Sequence, residues 1–437
     1  MNTGTKLSAP ISVNLELTAD CNLRCFFCFC PTEPYQKRYV SIPSQKRFDN
    51  LIKILHLLKK SGVLEVRFFG GEFSLIKEWK EIMSEAKRLG FFISFVSNGT
   101  LFSSEDIDFI KSIGMIECGV SLHGLKDVHD KVTGVDGSFD LAVNSIQKLQ
   151  NIGVEVAILF TPNKINLETF EEFIVSVNKE YGIKNVCMNR LYKGDGSYGE
   201  LTMGDYLKIL EMIHRIRINY GFPVNLIDSF PRCKVPVKYW KYLLYCAQGI
   251  AFGQINYLGE VKNCASLSVG IGNIFEDDLS VIWEKKLADF RTFKHLPLSC
   301  RLCPTFCGGG CIASRTMKNN FIADEFIKLP VEENFLESIF ITLKNYFKKW
   351  IFQVTTTPNG FKNKKIDNYP VLNKQYKIRK ESENCYVGLF DGKGMLILDQ
   401  FGVDAIKLMN GKNSLEDIGL ALNCSIEEVE SFARTVL

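Results

Sequence analysis

Several things are missing from this chain, and each absence excludes a class of function. No apolar stretch is long enough to cross a bilayer. Residues 1–10 lack the apolar core of a secretory signal. There is almost no net charge: 53 Lys and Arg stand against 49 Asp and Glu, a formal +4 over 437 residues. So weak a balance gives no reason to expect a nucleic-acid or membrane-surface partner. The five His residues include no H-E-x-x-H arrangement, and no G-x-S-x-G elbow occurs, so hydrolytic zinc and serine-hydrolase chemistry have no support. No internal repeat or low-complexity tract is present. The expectation is a cytoplasmic globular protein, 46% hydrophobic and 23% charged, of about two or three domains. Disulfides are rare in that compartment. The 15 cysteines therefore become informative, as buried apolar residues, nucleophiles or metal ligands.

From residue 11 to about 220 a short β-branched or aromatic run alternates six times with a helical pattern. The strands are expected at 11–18, 64–70, 91–97, 116–122, 154–160 and 186–191, and the helices near 45–60, 76–89, 105–113, 139–151, 167–181 and 203–220. Leu51, Ile54, Leu55 and Leu58 recur at helical spacing and predict one buried face. Ser103 or Ser104 can cap the third helix and Thr202 the sixth. This alternation predicts a parallel sheet with right-handed crossovers, an α/β partial (β/α)6 TIM-like barrel. Chemistry then belongs at the C-terminal ends of the strands.

The first strand runs into Cys21-Asn-Leu-Arg-Cys25-Phe-Phe-Cys28. Three thiolates in one loop leave one iron of a four-iron cube open to another ligand. The alternative is one face of a buried helix with Cys as a small apolar residue; Arg24 and the strand end just before count against it. Further strand ends are polar and glycine-bearing: Phe69-Gly70-Gly71-Glu72, Ser97-Asn98-Gly99-Thr100, and Ser121-Leu122-His123-Gly124, followed by His129-Asp130 and Gly137-Ser138-Phe139. The paired glycines would let a ligand approach the backbone.

Here the chain resembles the radical S-adenosylmethionine superfamily, over residues 11 to about 220. The C-x3-C-x2-C loop with Phe27 before its last cysteine, and Gly70-Gly71-Glu72, carry the likeness. It implies that Cys21, Cys25 and Cys28 ligate a [4Fe-4S] cluster whose fourth iron is chelated by S-adenosylmethionine. By the same resemblance Glu72 accepts from the cofactor ammonium, Phe27 packs near the adenine, and Gly70, Gly71, Asn98 and Ser121 line the cofactor site. Arg190 would contact the cofactor carboxylate. Phe73 stands where many members carry Pro, which alters the turn and leaves the carboxylate. Cys30 is expected to be structural. The implied chemistry is reductive cleavage of the cofactor to a 5′-deoxyadenosyl radical that takes hydrogen from an unactivated carbon, fed by a low-potential donor such as flavodoxin or ferredoxin.

Between 221 and 320 the alternation is expected to stop and cysteines gather: Cys233, Cys246, Cys264, Cys300, Cys303, Cys307 and Cys311, the last preceded by Gly308–Gly310. Spacing alone fits a four-thiolate zinc knot or an iron–sulfur site equally well. After such a barrel the region resembles the SPASM extension, through Cys246, Gly259, Cys264, Gly272-Asn273-Ile274 and Cys300 to Cys311. That implies one or two auxiliary iron–sulfur clusters, one on Cys246, Cys264 and Cys311 and one on Cys300, Cys303 and Cys307. The gap before the third cysteine of the run, from Cys303 to Cys307, is shortened to three residues, and the final cysteine of the pattern is missing. Each cluster then lacks one sulfur unless Cys233, an Asp such as Asp324, or an exogenous group completes it.

Residues 326–369 read as a helical stretch and a Lys- and Asn-rich linker. Residues 370–437 read as a small domain: two strands around Asp391-Gly392-Lys393-Gly394, then three helices, with Ser414 before the second and a Ser425/Glu428 capping box on the third. This resembles the PqqD-like peptide-recognition fold, winged-helix-like, which holds a precursor's leader as an added strand. A winged helix that binds DNA or only packs on the barrel is the alternative, and Lys393 as the one positive side chain between 381 and 404 disfavours DNA. The expected organisation is 1–220, 221–325, 326–369 and 370–437. The expected function is maturation of a ribosomally made peptide by a thioether or carbon–carbon cross-link. The alternatives are the same cofactors acting on a small molecule or a folded-protein side chain, as in tetrapyrrole-modifying or sulfatase-maturing enzymes, and a zinc-stabilised binding protein without catalysis.

Overall fold

The structure is a computed structural model that describes residues 7–28, 42–191, 201–244, 246–267, 270–288, 296, 300, 307–317, 324, 326, 369–372, 375–383, 385–390 and 394–436. The chain divides into two compact units, Ala9–Lys349 and Met1–Ser8 with Trp350–Leu437.

The larger unit is built on one sheet. Seven strands run parallel in sequence order: β1 (Ser12–Glu16), β2 (Glu65–Phe69), β3 (Phe92–Ser97), β4 (Glu117–Ser121), β5 (Glu155–Phe160), β6 (Asn185–Met188) and β7 (Val224–Leu226). An eighth, β8 (Phe252–Asn256), pairs parallel with the other side of β1, Ser12 opposite Phe252. Two short antiparallel strands, β9 (Glu260–Lys262) and β10 (Gly272–Asn273), extend that edge. The alternation therefore does not stop at residue 220, as the sequence pattern suggested. β7 has three residues, too few to show a period. β8 carries Gly253, where a Cβ would lie 3.0 Å from the Trp283 ring, and the polar Gln254 and Asn256, so it does not read as an apolar strand.

Helices cover one face of this sheet. α1 (Ser44–Lys60) buries Leu51, Ile54, Leu55 and Leu58, the face its spacing predicted. It is followed by α2 (Trp79–Arg88), α3 (Ser104–Ser112), α4 (Lys126–Thr133), α5 (Ser138–Asn151), α6 (Phe170–Tyr181) and α7 (Met203–Tyr220). Reciprocal capping boxes start α3, Ser103 with Asp106, and α7, Thr202 with Asp205. Period-two alternation sends Val13, Leu15, Val66 and Phe68 into the helix-side core. The opposite face of β1 and β2 receives Asn14, Glu16, Glu65 and Arg67.

The smaller unit holds an antiparallel sheet, β11 (Tyr376–Ser382), β12 (Cys385–Phe390) and β13 (Gly394–Leu398), in that order. Three helices follow, α9 (Gln400–Leu408), α10 (Leu415–Leu422) and α11 (Ile426–Val436), with α8 (Ile312–Met317) lying in the larger unit. Phe390, Leu398, Val403, Ile406, Met409, Ile418 and Val429 form its core. Ser414 with Asp417, and Ser425 with Glu428, make the expected caps. β11 was not expected; its alternating Lys and Arg hide the strand. The turn 391–393 and most of 326–369 lie outside the described residues.

Candidate functional site

The C-terminal strand ends bring the first constellation together. After β1 the chain leaves as a loop, not a helix, through Cys21, Cys25 and Cys28. Leu17 N–H donates to Phe69 O at 3.0 Å, Gly71 N–H to Thr18 O at 2.7 Å and Glu72 N–H to Asp20 O at 2.7 Å. The Gly70-Gly71 pair exists for this contact. A Cβ on Gly70 would sit 2.4 Å from Thr18 O, and one on Gly71 would sit 2.3 Å from Ala19 O and Asp20 O. The backbone that approaches these glycines is thus the cysteine loop itself, where the sequence suggested a ligand. Arg24 N–H donates to Thr133 O at 2.8 Å, so α4 holds the loop from the other side.

Cys21 is exposed, and Cys25 and Cys28 are half-buried. Burial raises the Cys21 thiol and pushes Cys25 up to about 12, with each neighbouring thiolate adding to the shift. The three sulfurs therefore lie within electrostatic reach of one another. A metal that binds them displaces protons and relieves this penalty. Leu23 N–H and the Asn98 side-chain amide donate to Cys21 Sγ at 3.4 and 3.8 Å. Cys30 lies outside the described residues.

Glu72 is buried and already well supplied with donors. Its Oε1 accepts from Ser74 Oγ at 2.8 Å, Ser97 Oγ at 2.9 Å and Ser74 N–H at 3.3 Å, and its Oε2 accepts from Asn98 N–H at 2.7 Å. Burial still raises its carboxyl. The side chain ties the end of β2 to the end of β3 and caps the short turn Phe73–Leu75, leaving one acceptor site on Oε2. Phe73 is fully buried against Trp79, Phe95 and Phe102, which is how a large aromatic serves in this turn.

Phe27 meets the His123 ring edge-on at 4.9 Å, and His123 stacks on His129 at 5.8 Å. Both histidines are buried. His129 Nδ1 accepts from His123 N–H at 3.0 Å, which puts its proton on Nε2, a buried nitrogen with no partner among the described residues. Burial holds His123 well below the usual imidazole range and His129 at about 4. Asp130 anchors the same corner, accepting from Gly137 N–H, Phe139 N–H and Ser138 Oγ at 2.8–2.9 Å. Ser121 ends β4, half-buried.

Arg190 is placed differently from expectation. Its guanidinium is buried, paired with Asp324 at 2.6 Å and 3.3 Å, and it donates to Ser229 O at 3.2 Å. It lies between the rings of Phe230, Phe326 and Tyr206, 4.7, 5.0 and 5.8 Å from their centroids. With its charge spent on Asp324, Arg190 joins β6 to the second cysteine region, and a cofactor carboxylate would have to displace that pair. The sheet also presents residues that the sequence reading missed. Arg67 stands 3.5 Å from Glu65 and 3.8 Å from Glu117 and donates to Ser94 at 3.1 Å. Alternation of charged Glu65 and Arg67 with apolar Val66 and Phe68 was the available signal.

In the second region Cys264 and Cys311 are buried side by side with Leu267 and Ala313. Cys246 N–H donates to Ser229 Oγ at 3.0 Å. Burial raises Cys246, with Asp228, Cys264 and Cys311 adding to it, so these groups face one another. Gly308, Gly309 and Gly310 all take positive φ, 62°, 73° and 83°, a run open only to glycine. A Cβ on Gly310 would lie 2.4 Å from Asp324 Oδ2. Asp324 is thereby packed against the glycine turn, and it accepts from Cys311 N–H at 2.8 Å and Phe326 N–H at 3.2 Å. Its oxygens are spent on protein donors, so the sequence suggestion that it completes a cluster does not hold. Gly259, φ 80°, makes the tight turn that Asn273 and Ile274 close. Cys300 and Cys307 are half-buried, and Cys303 lies outside the described residues.

Residues 15–177 match the family described as the radical SAM superfamily, and residues 246–304 match SPASM, described as an iron–sulfur cluster-binding domain. The chain carries a radical SAM domain and a SPASM domain. It is 25% identical over 282 residues to the sporulation killing factor maturation protein SkfB of Bacillus subtilis (strain 168), covering 62% of this chain and 64% of that one. It is 28% identical over 268 residues to the Fe-coproporphyrin III synthase of Methanosarcina barkeri (strain Fusaro / DSM 804), covering 60% and 65%. The match thus spans just under two thirds of the length of these relatives. Among solved structures, Streptococcus suis SuiB bound to S-adenosylmethionine aligns with a TM-score of 0.59 at 18% identity, over 74% of this chain and 78% of that one. That likeness is one of fold.

The radical SAM and SPASM domains imply a [4Fe-4S] cluster, S-adenosylmethionine and auxiliary iron–sulfur clusters as cofactors. The residues fit them. Soft thiolates are the donors such clusters take. Among the described residues no three His, Cys, Asp or Glu side chains close on a point suited to a single ion. The thiols of Cys21, Cys25 and Cys28, and those of Cys246, Cys264 and Cys311, feel one another electrostatically. His129 Nε2, on the ring that stacks against His123 and without a partner among the described residues, is a polar atom that a bound molecule can satisfy.

Proposed function

We propose that the protein is a radical SAM peptide maturase that installs a thioether or carbon–carbon cross-link in a ribosomally made precursor. In this reading Cys21, Cys25 and Cys28 hold the [4Fe-4S] cluster, and Gly70 and Gly71 let the cysteine loop sit against β2. Asn98, Ser121, Phe27 and the remaining acceptor site of Glu72 line the cofactor position. Bound there, the cofactor pair supplies a 5′-deoxyadenosyl radical; the chain's own part is to hold one carbon–hydrogen bond beside it and to exclude water. Electrons come from a flavodoxin- or ferredoxin-like donor. Cys246, Cys264 and Cys311, and Cys300, Cys303 and Cys307, would hold auxiliary clusters, which would supply an acceptor for the electron left after bond formation.

The observation that carries the peptide substrate is the C-terminal sheet. Its order leaves β13 at one edge, with β12 as its one strand neighbour among the described residues. The exposed Ile397 lies on that strand, and Tyr376, Leu420 and Ile426 are exposed elsewhere on the same unit. A PqqD-like module would add a leader peptide to such an edge, with backbone bonds giving affinity and apolar pockets giving register. The maturation named for SkfB supports this reading. The likeness to a coproporphyrin-linked synthase supports a second, in which Arg67 and its acidic neighbours meet a small molecule. Anaerobic incubation with a candidate precursor, sought as a short Cys-rich reading frame beside the gene, decides between them. A product lighter by two hydrogens supports maturation; an unchanged peptide alongside turnover of a tetrapyrrole contradicts it.

A further inference from the structure

We propose that Asp228 supplies the fourth protein ligand, a carboxylate oxygen, of the auxiliary cluster on Cys246, Cys264 and Cys311. The proposal rests on the reading of those three thiols as a cluster site. A four-iron cube wants four ligands, and the chain provides three sulfurs here.

The backbone brings Asp228 to the site. Leu226 and Leu243 pair as a parallel bridge, and Leu244 N–H donates to Leu226 O at 3.0 Å. The two segments therefore run side by side beyond β7, and Ser229 Oγ meets Cys246 N–H. Asp228 is the residue just before that contact. Its charge is felt by both Cys246 and Cys264. Asp228 and Cys246 are both half-buried.

The carboxylate is also oriented as a ligand would be. Oδ2 accepts from Arg190 N–H at 2.6 Å, which fixes the group and leaves Oδ1 for the metal. Ligating carboxylates are held in this way by a second hydrogen bond. The rival carboxylate, Asp324, is occupied by Arg190, Cys311 N–H and Phe326 N–H. Arg190 thus holds both acids in their different roles: its backbone aims Asp228, and its side chain neutralises Asp324. Coordination forms one iron–oxygen bond, with any proton on the carboxyl passing to solvent and no change of oxidation state.

The test uses full-length protein in which Cys21, Cys25 and Cys28 are all changed to Ala, so that only auxiliary iron remains. After anaerobic reconstitution, iron, sulfide and the EPR spectrum of the oxidised sample are measured. Asp228→Asn keeps an acceptor for Arg190 N–H but removes the anionic ligand. It is expected to lose one iron per chain relative to its parent and to show a three-iron signal, while Asp228→Cys keeps the parent's iron and shows none. Cys233→Ser is expected to match the parent. Unchanged iron and spectrum in Asp228→Asn, or iron loss in Cys233→Ser instead, overturns the proposal. A parent that binds no iron and sulfide fails the cluster reading itself. A readout without substitution at Asp228 guards against misfolding: in the reduced parent grown with 13C-carboxyl aspartate, pulsed EPR is expected to show coupling to the label, and its absence also overturns the assignment.

Discussion

Gly71 has room for nothing larger than hydrogen, because Ala19 O and Asp20 O stand 2.3 Å from where a Cβ would be. Gly71→Ala must push the cysteine loop off β2. It is expected to cost the N-terminal cluster, read as lost iron and sulfide, while far-UV circular dichroism stays that of the parent. His129 offers a second residue-scale prediction. Its folded pKa, about 4, lies below the unfolded value of about 6.5. The unfolded chain therefore binds the proton more readily, and stability falls as pH drops through that window. The loss is on the order of 3 kcal/mol at the acid end. Denaturant titrations from pH 7 to pH 4 are expected to show it, and His129→Asn is expected to flatten it; an equal acid slope in both proteins contradicts the burial argument.

Among the elements, those with an unbroken period were legible. The bounds of α7, α10 and α11 coincide with the helical patterns at 203–220, 415–422 and 426–436. The elements that escaped share a physical reason. β7 is three residues long, α4 is preceded by Leu125, which offers no side-chain cap, and β11 alternates charge where strands usually alternate apolar groups. The cysteine loop could be read as a loop because its three cysteines are close in sequence and follow the end of β1. The setting of Arg190 could not, since Asp324 lies 134 residues away and only the fold joins them. That ion pair ties β6 to the glycine turn before Cys311. Arg190→Ala leaves a buried carboxylate with no counter-charge, and the larger unit is expected to lose about 3–5 kcal/mol of stability, measured by chemical unfolding. A loss under 1 kcal/mol would show that the pair is not the tie between these elements.

For the whole molecule, the proposed function assigns the two units two separate tasks. Deleting 370–437 is expected to leave cofactor cleavage within about twofold of the full chain and to lower peptide modification more than about tenfold, because the leader no longer raises the local concentration of its core segment. Full peptide modification by the truncated protein contradicts the role given to the C-terminal sheet. The proposal on which everything else depends is that Cys21, Cys25 and Cys28 hold a cluster able to reduce a bound sulfonium nucleotide. Its most direct measurement is 5′-deoxyadenosine released when the anaerobically reconstituted full chain is given dithionite and S-adenosylmethionine. The account predicts 5′-deoxyadenosine from the unmodified protein and none above background from Cys21→Ala, Cys25→Ala or Cys28→Ala. Release from any of those variants at the parent's rate, or none from the cluster-loaded parent, would contradict it.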